Sequence, residues 1–121
     1  MDETRKTILI VDDEEIIRDF LSEVLDNYAI TIACDGDEAI EKIKKERFDL
    51  VITDLRMPRV PGEEVVRFTR ETYPGSKVIV ISGYSSLSTV SQTVNNGACA
   101  FLAKPFSIKE LLQSVEQAMQ G

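Results

Sequence analysis

The sequence has no histidine and no tryptophan, only two cysteines, and no apolar run long enough to span a bilayer. Each absence removes a class of chemistry. Without an imidazole the chain cannot activate a serine or cysteine through histidine, ligate zinc in the usual way, or carry a phosphoryl group on its own ring nitrogen. Cys34 and Cys99 stand far apart and lack metal-type spacing, which fits reduced thiols acting as small hydrophobes better than a zinc site or a staple. Positive charge is also scarce. Against 21 Asp and Glu there are 14 Lys and Arg, and the net charge of −7 opposes direct binding to nucleic acid, which needs clustered cations. Met1 to Lys6 is polar and the apolar stretch that follows breaks at Asp12, so no signal peptide and no membrane span are expected, and a cytoplasmic location is.

What is present suits one ordinary domain spanning residues 1–121. The chain is 43% hydrophobic and 29% charged. Short apolar runs recur at "TILIV" (7–11), "ITIA" (30–33), "LVIT" (50–53), "KVIVIS" (77–82) and "CAFLA" (99–103), with segments of helical period between them. The first helix should bury Ile16, Ile17, Phe20, Leu21, Val24 and Leu25, turning Arg18, Asp19 and Glu23 outward. The second carries Ala39, Ile40 and Ile43, and the third Val65, Val66 and Phe68 before "YPGS" (73–76) stops it. The fifth opens on a capping box, Ser107 to Glu110, and buries Ile108, Leu111, Leu112, Val115 and Met119. The fourth, about residues 86–96, has a thin stripe of Leu87, Val90 and Val94; it is either an element that shifts at low cost or simply an amphipathic surface helix. Five strands, each followed by a helix and apolar on both faces, predict an α/β fold: a parallel sheet between helices joined by right-handed crossovers. Chemistry in such folds gathers outside the carboxyl ends of the strands.

At those ends stand Asp12 and Asp13, then Asp54, Ser82 and Lys104. Three carboxylates brought together repel by about 4 kcal/mol per close pair at an effective dielectric near 20, and one lysine cannot offset that. A hard divalent cation would, and Mg²⁺ suits an all-oxygen set better than zinc does. With such an ion and Lys104 beside it, Asp54 could attack phosphorus and become an aspartyl phosphate, with the Ser82 hydroxyl on a phosphoryl oxygen.

At these residues the sequence resembles the receiver domains of two-component response regulators, the family of the chemotaxis response regulator. The matching pieces are "ILIVDDEE" (8–15), "DLVITDLRMPRVPG" (49–62), "VIVISGY" (78–84) and "GACAFLAKPF" (97–106), with the lengths between them. The resemblance implies a flavodoxin-like five-stranded sheet of order 2-1-3-4-5 with helices on both faces. It makes Asp54 the acceptor of a phosphoryl group from a sensor histidine kinase or phosphotransfer protein. It further implies Mg²⁺ held by Asp13, Asp54 and the Arg56 carbonyl with Asp12 in support, Lys104 on the phosphoryl group, and a cis bond from Lys104 into Pro105. Ser82 and Phe101 would form a switch pair acting on the surface of the fourth helix, fifth strand and fifth helix, a surface that also serves homodimers in the family. Such a domain is no enzyme on an external substrate, but it catalyses its own phosphotransfer and dephosphorylation.

Each residue also has a plainer explanation. Asp12 or Asp13 could cap a helix, Asp54 could form a turn, Ser82 could merely close a strand, Lys104 could be a solvated lysine and Phe101 a core residue. Their occurrence together, in order and on the right elements, argues against coincidence. Arg56 and Tyr84, each two residues beyond a site residue, should flank the mouth of the phosphoryl site and shield an acyl phosphate from water, or else are solvated loop residues. A haloacid-dehalogenase-type hydrolase needs a second aspartate where Arg56 stands, and a flavin-binding module needs a Ser/Thr/Gly loop where this chain has "DDEE". A pseudo-receiver that binds partners without phosphorylation is the remaining alternative.

Overall fold

A computed structural model describes residues 5–83 and 86–120; Tyr84 lies outside them, as does the side chain of Leu87. Strands and helices alternate through the chain: β1 (Thr7–Val11), α1 (Glu15–Val24), β2 (Ala29–Ala33), α2 (Gly36–Lys45), β3 (Leu50–Asp54), α3 (Gly62–Thr72), β4 (Lys77–Ser82), α4 (Leu87–Asn95), β5 (Ala100–Ala103) and α5 (Ile108–Gln120). The strands form one parallel sheet, as their pattern predicts, in the order β2-β1-β3-β4-β5 that the resemblance to receiver domains implies.

Alternation along the strands sorts the core into two layers. Ile8, Ile10, Ile52, Ile79 and Ile81 pack with Leu21 and Leu25 at α1 and with Leu111, Val115 and Ala118 of α5. On the opposite face Leu9, Val11, Val51, Val78 and Val80 meet Ala39 and Ile43 of α2 and Val65 and Val66 of α3. Both faces are covered, which is why the strands read as continuous apolar runs rather than alternating ones.

Helix ends follow local chemistry. Asp35 Oδ1 accepts from the Glu38 amide at the start of α2 (2.8 Å). At α5, Ser107 Oγ accepts from the Glu110 amide (3.0 Å) while Glu110 Oε1 accepts from the Ser107 amide (2.9 Å), the reciprocal capping box.

Several sequence expectations need correction. Ile16 is 80% exposed, because at 100° per residue it lies a quarter-turn from the Ile17–Leu21–Val24 line that faces the sheet. Leu112 is displaced in the same way from Leu111 and Val115, and Ile108 sits in the first turn of α5; both are exposed. On α4 the buried position is Thr93 rather than Val94, which is 52% exposed. Thr93 satisfies its hydroxyl by donating to the Thr89 carbonyl (2.9 Å), so a polar residue serves as core. Arg18 does not point away: its Nη1 donates to the Asp12 carbonyl (2.8 Å). Cys34 and Cys99 are free thiols, but both are exposed, so they do not act as core hydrophobes.

Candidate functional site

The sheet register brings the strand ends level. Val11 lies beside Thr53, Asp54 beside Ile81, and Ser82 beside Ala103, so Asp12, Asp54, Ser82 and Lys104 crown four neighbouring strands. The Lys104 amide donates to the Ser82 carbonyl (2.8 Å), extending the ladder past β5 and directing the lysine inward. Its peptide bond to Pro105 is cis.

Lys104 Nζ donates to Asp54 Oδ2 at 2.8 Å and lies 3.6 Å from Asp12 Oδ2 and 3.5 Å from Glu14 Oε1. One ammonium thus serves three carboxylates. Asp12 and Asp54 are buried, whereas Asp13 is exposed. Asp54 Oδ1 accepts from the Arg56 amide (3.0 Å), and Asp12 Oδ1 from the Glu14 amide (2.9 Å), so each buried acid has one oxygen bound to backbone and the other turned to the lysine.

Crowding shows in the ionisation. Burial pushes the Asp12 carboxyl up to about 6 despite the Glu14 amide and Lys104, and the nearby Asp54 and Glu14 charges add to the rise. Burial acts to lower the Lys104 pKa, but the hydrogen bond to Asp54 and the fields of Asp12, Asp54 and Glu14 outweigh it and the net direction is upward.

Asp12, Asp13 and Asp54 each offer an oxygen such that the three lie within 4.8 Å of one another. Three hard anionic oxygens, with no nitrogen or sulfur among them and an excess of negative charge over the lysine, fit a cation such as Mg²⁺ and not zinc.

The turn after Asp54 is tightly seated. A Cβ on Gly62 would lie 2.0 Å from the Asp54 carbonyl oxygen, so only glycine lets α3 begin there. Arg59 adopts a left-handed φ of 65° and bridges Asp35 (2.7 Å) and Asp37 (3.0 Å) across the turn.

Ser82 is fully buried, and Phe101 on the neighbouring strand is half-buried against the valine layer. The site residues read from the sequence thus lie at or beside this one edge of the sheet, except Tyr84, which is outside the described residues. Glu14 and Arg18 are additions that sequence reasoning missed. The "DDEE" string gave Glu14 no distinction from Glu15, and only the turn into α1 carries it to Lys104.

A family model for the response regulator receiver domain matches residues 8–116. The chain belongs to that family. The receiver is 37% identical over 107 residues to the response regulator MprA of Mycolicibacterium vanbaalenii, covering 87% of this chain and 46% of the relative. It thus spans about half the length of that curated relative. Among solved structures it resembles the chemotaxis protein CheY4 of Vibrio cholerae, with a TM-score of 0.88 and 31% identity over 94% of this chain and 98% of the other. It is also similar to the NtrC4 receiver domain solved as a beryllofluoride-activated dimer, with a TM-score of 0.88 and 37% identity over 94% and 96% of the two chains. Membership makes this receiver part of phosphorylation-based two-component signalling. Among the described residues no helix is long and apolar enough to cross a membrane.

Proposed function

We propose that this receiver is a cytoplasmic phosphorylation switch in which Asp54 takes a phosphoryl group from a histidine on a sensor kinase or phosphotransfer protein. The observation that carries this reading is the 2.8 Å pair of Lys104 and Asp54 at the edge where Asp12 and Asp13 also gather. An Asp54 oxygen forms the new P–O bond as the donor's P–N bond breaks, its electron pair returning to the imidazole. Lys104, released from Asp54, holds a phosphoryl oxygen, and Ser82 donates its hydroxyl to another.

Asp13, Asp54 and the Arg56 carbonyl would hold Mg²⁺, with Asp12 in support. When bound, the ion offsets charge on the transferring group. Asp54 is oriented by the Arg56 amide, which donates to its Oδ1, and the glycine at 62 lets the start of α3 pass close to the Asp54 carbonyl.

Movement of Ser82 toward the phosphoryl group would free space behind it for the Phe101 ring, biasing the face built from α4, β5 and α5. Val94, Ile108 and Leu112 lie exposed on those helices. We assign that face to a homodimer or an output partner, in keeping with the dimeric NtrC4 receiver. Full switching needs about 5 kcal/mol of differential stabilisation. The net charge of −7 opposes direct DNA contact by this domain.

The test is incubation with Mg²⁺ and a small acyl phosphate, followed by intact mass. One added phosphoryl group in the wild type, lost in Asp54→Asn and with chelator, supports the proposal. No gain in the wild type leaves the pseudo-receiver, an interaction module that works without phosphorylation. Arg56 and Tyr84 are assigned to shield the acyl phosphate; a decay rate unaltered in Arg56→Ala and Tyr84→Ala would remove that part.

A further inference from the structure

We infer that Glu14 is a charge filter for the phosphoryl donor, a specificity-determining residue at the mouth of the site; the inference rests on Asp54 being the acceptor. Glu14 occupies the N-cap position of α1, where short polar side chains are favoured because they bind the free amides of the first turn. It makes no such bond. Its carboxylate instead reaches Lys104 Nζ at 3.5 Å, while its own amide is held by Asp12 Oδ1, so the residue is anchored to the site through its backbone and spends its side chain there.

Glu14 differs from the acids around it. The side chains of Asp12 and Asp54 are 2% and 7% exposed, whereas that of Glu14 is 63% exposed. Nor does it belong to the cluster of Asp12, Asp13 and Asp54 whose oxygens lie within 4.8 Å of each other. A donor coming from solvent therefore meets Glu14 before it meets Asp54, and must draw Lys104 away from it.

That arrangement discriminates by charge. Each unit of negative charge on the donor, passing about 6 Å from the Glu14 carboxylate in water, is disfavoured roughly threefold. A small dianionic donor is penalised most. A donor that presents a basic group opposite Glu14 escapes the penalty, which marks the partner surface this receiver favours.

Acetyl phosphate, a dianion near neutral pH, and phosphoramidate, a monoanion, separate the effect from any general one. In both cases Asp54 forms a P–O bond. With the first the P–O bond to the acyl group breaks and acetate leaves with the electron pair; with the second the P–N bond breaks and ammonia leaves, its nitrogen already protonated in the donor. Rate constants for both donors would be measured at saturating Mg²⁺ for wild type, Glu14→Gln and Glu14→Lys.

We expect the ratio of the acetyl phosphate rate to the phosphoramidate rate to rise about threefold in Glu14→Gln and further in Glu14→Lys. The gain should shrink at high salt, because the charges interact through solvent. A ratio unchanged in both variants, or equal slowing with both donors, would overturn the filter and leave Glu14 a solvated helix cap. A wild type that accepts from neither donor would overturn the acceptor reading itself, an outcome visible before any variant is made.

Discussion

Two aspartates bracket β3, and they live in opposite electrostatic circumstances. Asp49, just before the strand, has its oxygens filled by the Thr7 amide (2.8 Å), the Thr7 hydroxyl (3.1 Å) and Arg47 (3.1 Å). Burial alone would raise its pKa, but those donors hold the carboxyl below its usual range. Asp54, at the strand's far end, shares one ammonium with Asp12 and Glu14. The amino end of the sheet is electrostatically settled and the carboxyl end is not. An acid placed for stability is given its own fixed donors, whereas the acids at the proposed phosphoryl site are left short of positive charge, which a cation or phosphoryl group would supply or draw upon there.

The sharpest way to break this comparison is to remove Lys104. In metal-free solution Lys104→Met should lower unfolding stability by about 3 kcal/mol, since Asp12, Glu14 and Asp54 then lose the ammonium they share. Mg²⁺ should restore part of the loss, and urea melts with and without the ion measure both. A stable metal-free variant would mean that the carboxyl end is not short of charge.

Next, Asp49→Ala should cost about 2 kcal/mol at neutral pH by leaving the Thr7 amide and Arg47 without their acceptor. Asp12→Asn should do the reverse and stabilise the metal-free protein by about 1 kcal/mol, because a buried ionised acid is replaced by a neutral isostere. The same change should weaken Mg²⁺ binding, read by titration of the ion against the thermal midpoint.

The two acids also carry opposite pH signs. Asp49, whose folded pKa is depressed, contributes stability that is present above its unfolded value and lost as pH falls through the folded one. Asp12, raised from 3.8 to about 6, contributes stability that is complete below 3.8 and lost as pH rises through 6. Metal-free unfolding curves between pH 4 and pH 7 should therefore show an Asp12-dependent slope that flattens in Asp12→Asn. A slope identical in the two proteins would remove Asp12 as its source.

The smallest expected effect is on α4, set against a buried position of α3 as control. Val66→Ala in α3 should cost about 2 kcal/mol, and Val94→Ala in α4 less than about 0.5, because one is buried in the valine layer and the other faces solvent. Equal costs would show that α4 is anchored as firmly as α3, which would count against α4 as an element that shifts at low cost.

Much of this was legible in the residues. The five runs from "TILIV" to "CAFLA" mark the strands to within a residue, and the Ser107 to Glu110 capping box stands as read. The overwide stripes on α1 and α5 were not. Ile16, Ile108 and Leu112 are as apolar as their neighbours, and only the direction in which each helix lies on the sheet tells which face is covered. Thr93 went unseen because its polarity hides a hydroxyl that an i−4 carbonyl satisfies.

By itself the sequence determined the alternation of strand and helix and the set of acids, hydroxyl and lysine at the strand ends, because period and punctuation are local properties of a chain. Only the tertiary structure decided that one ammonium serves three carboxylates, that Glu14 turns to Lys104 while Glu15 begins a helix, and that Arg18 reaches the Asp12 carbonyl. Those pairings join residues as many as 92 positions apart, Asp12 and Lys104 among them, and distances of that kind are set by the sheet register and the twist of the crossovers.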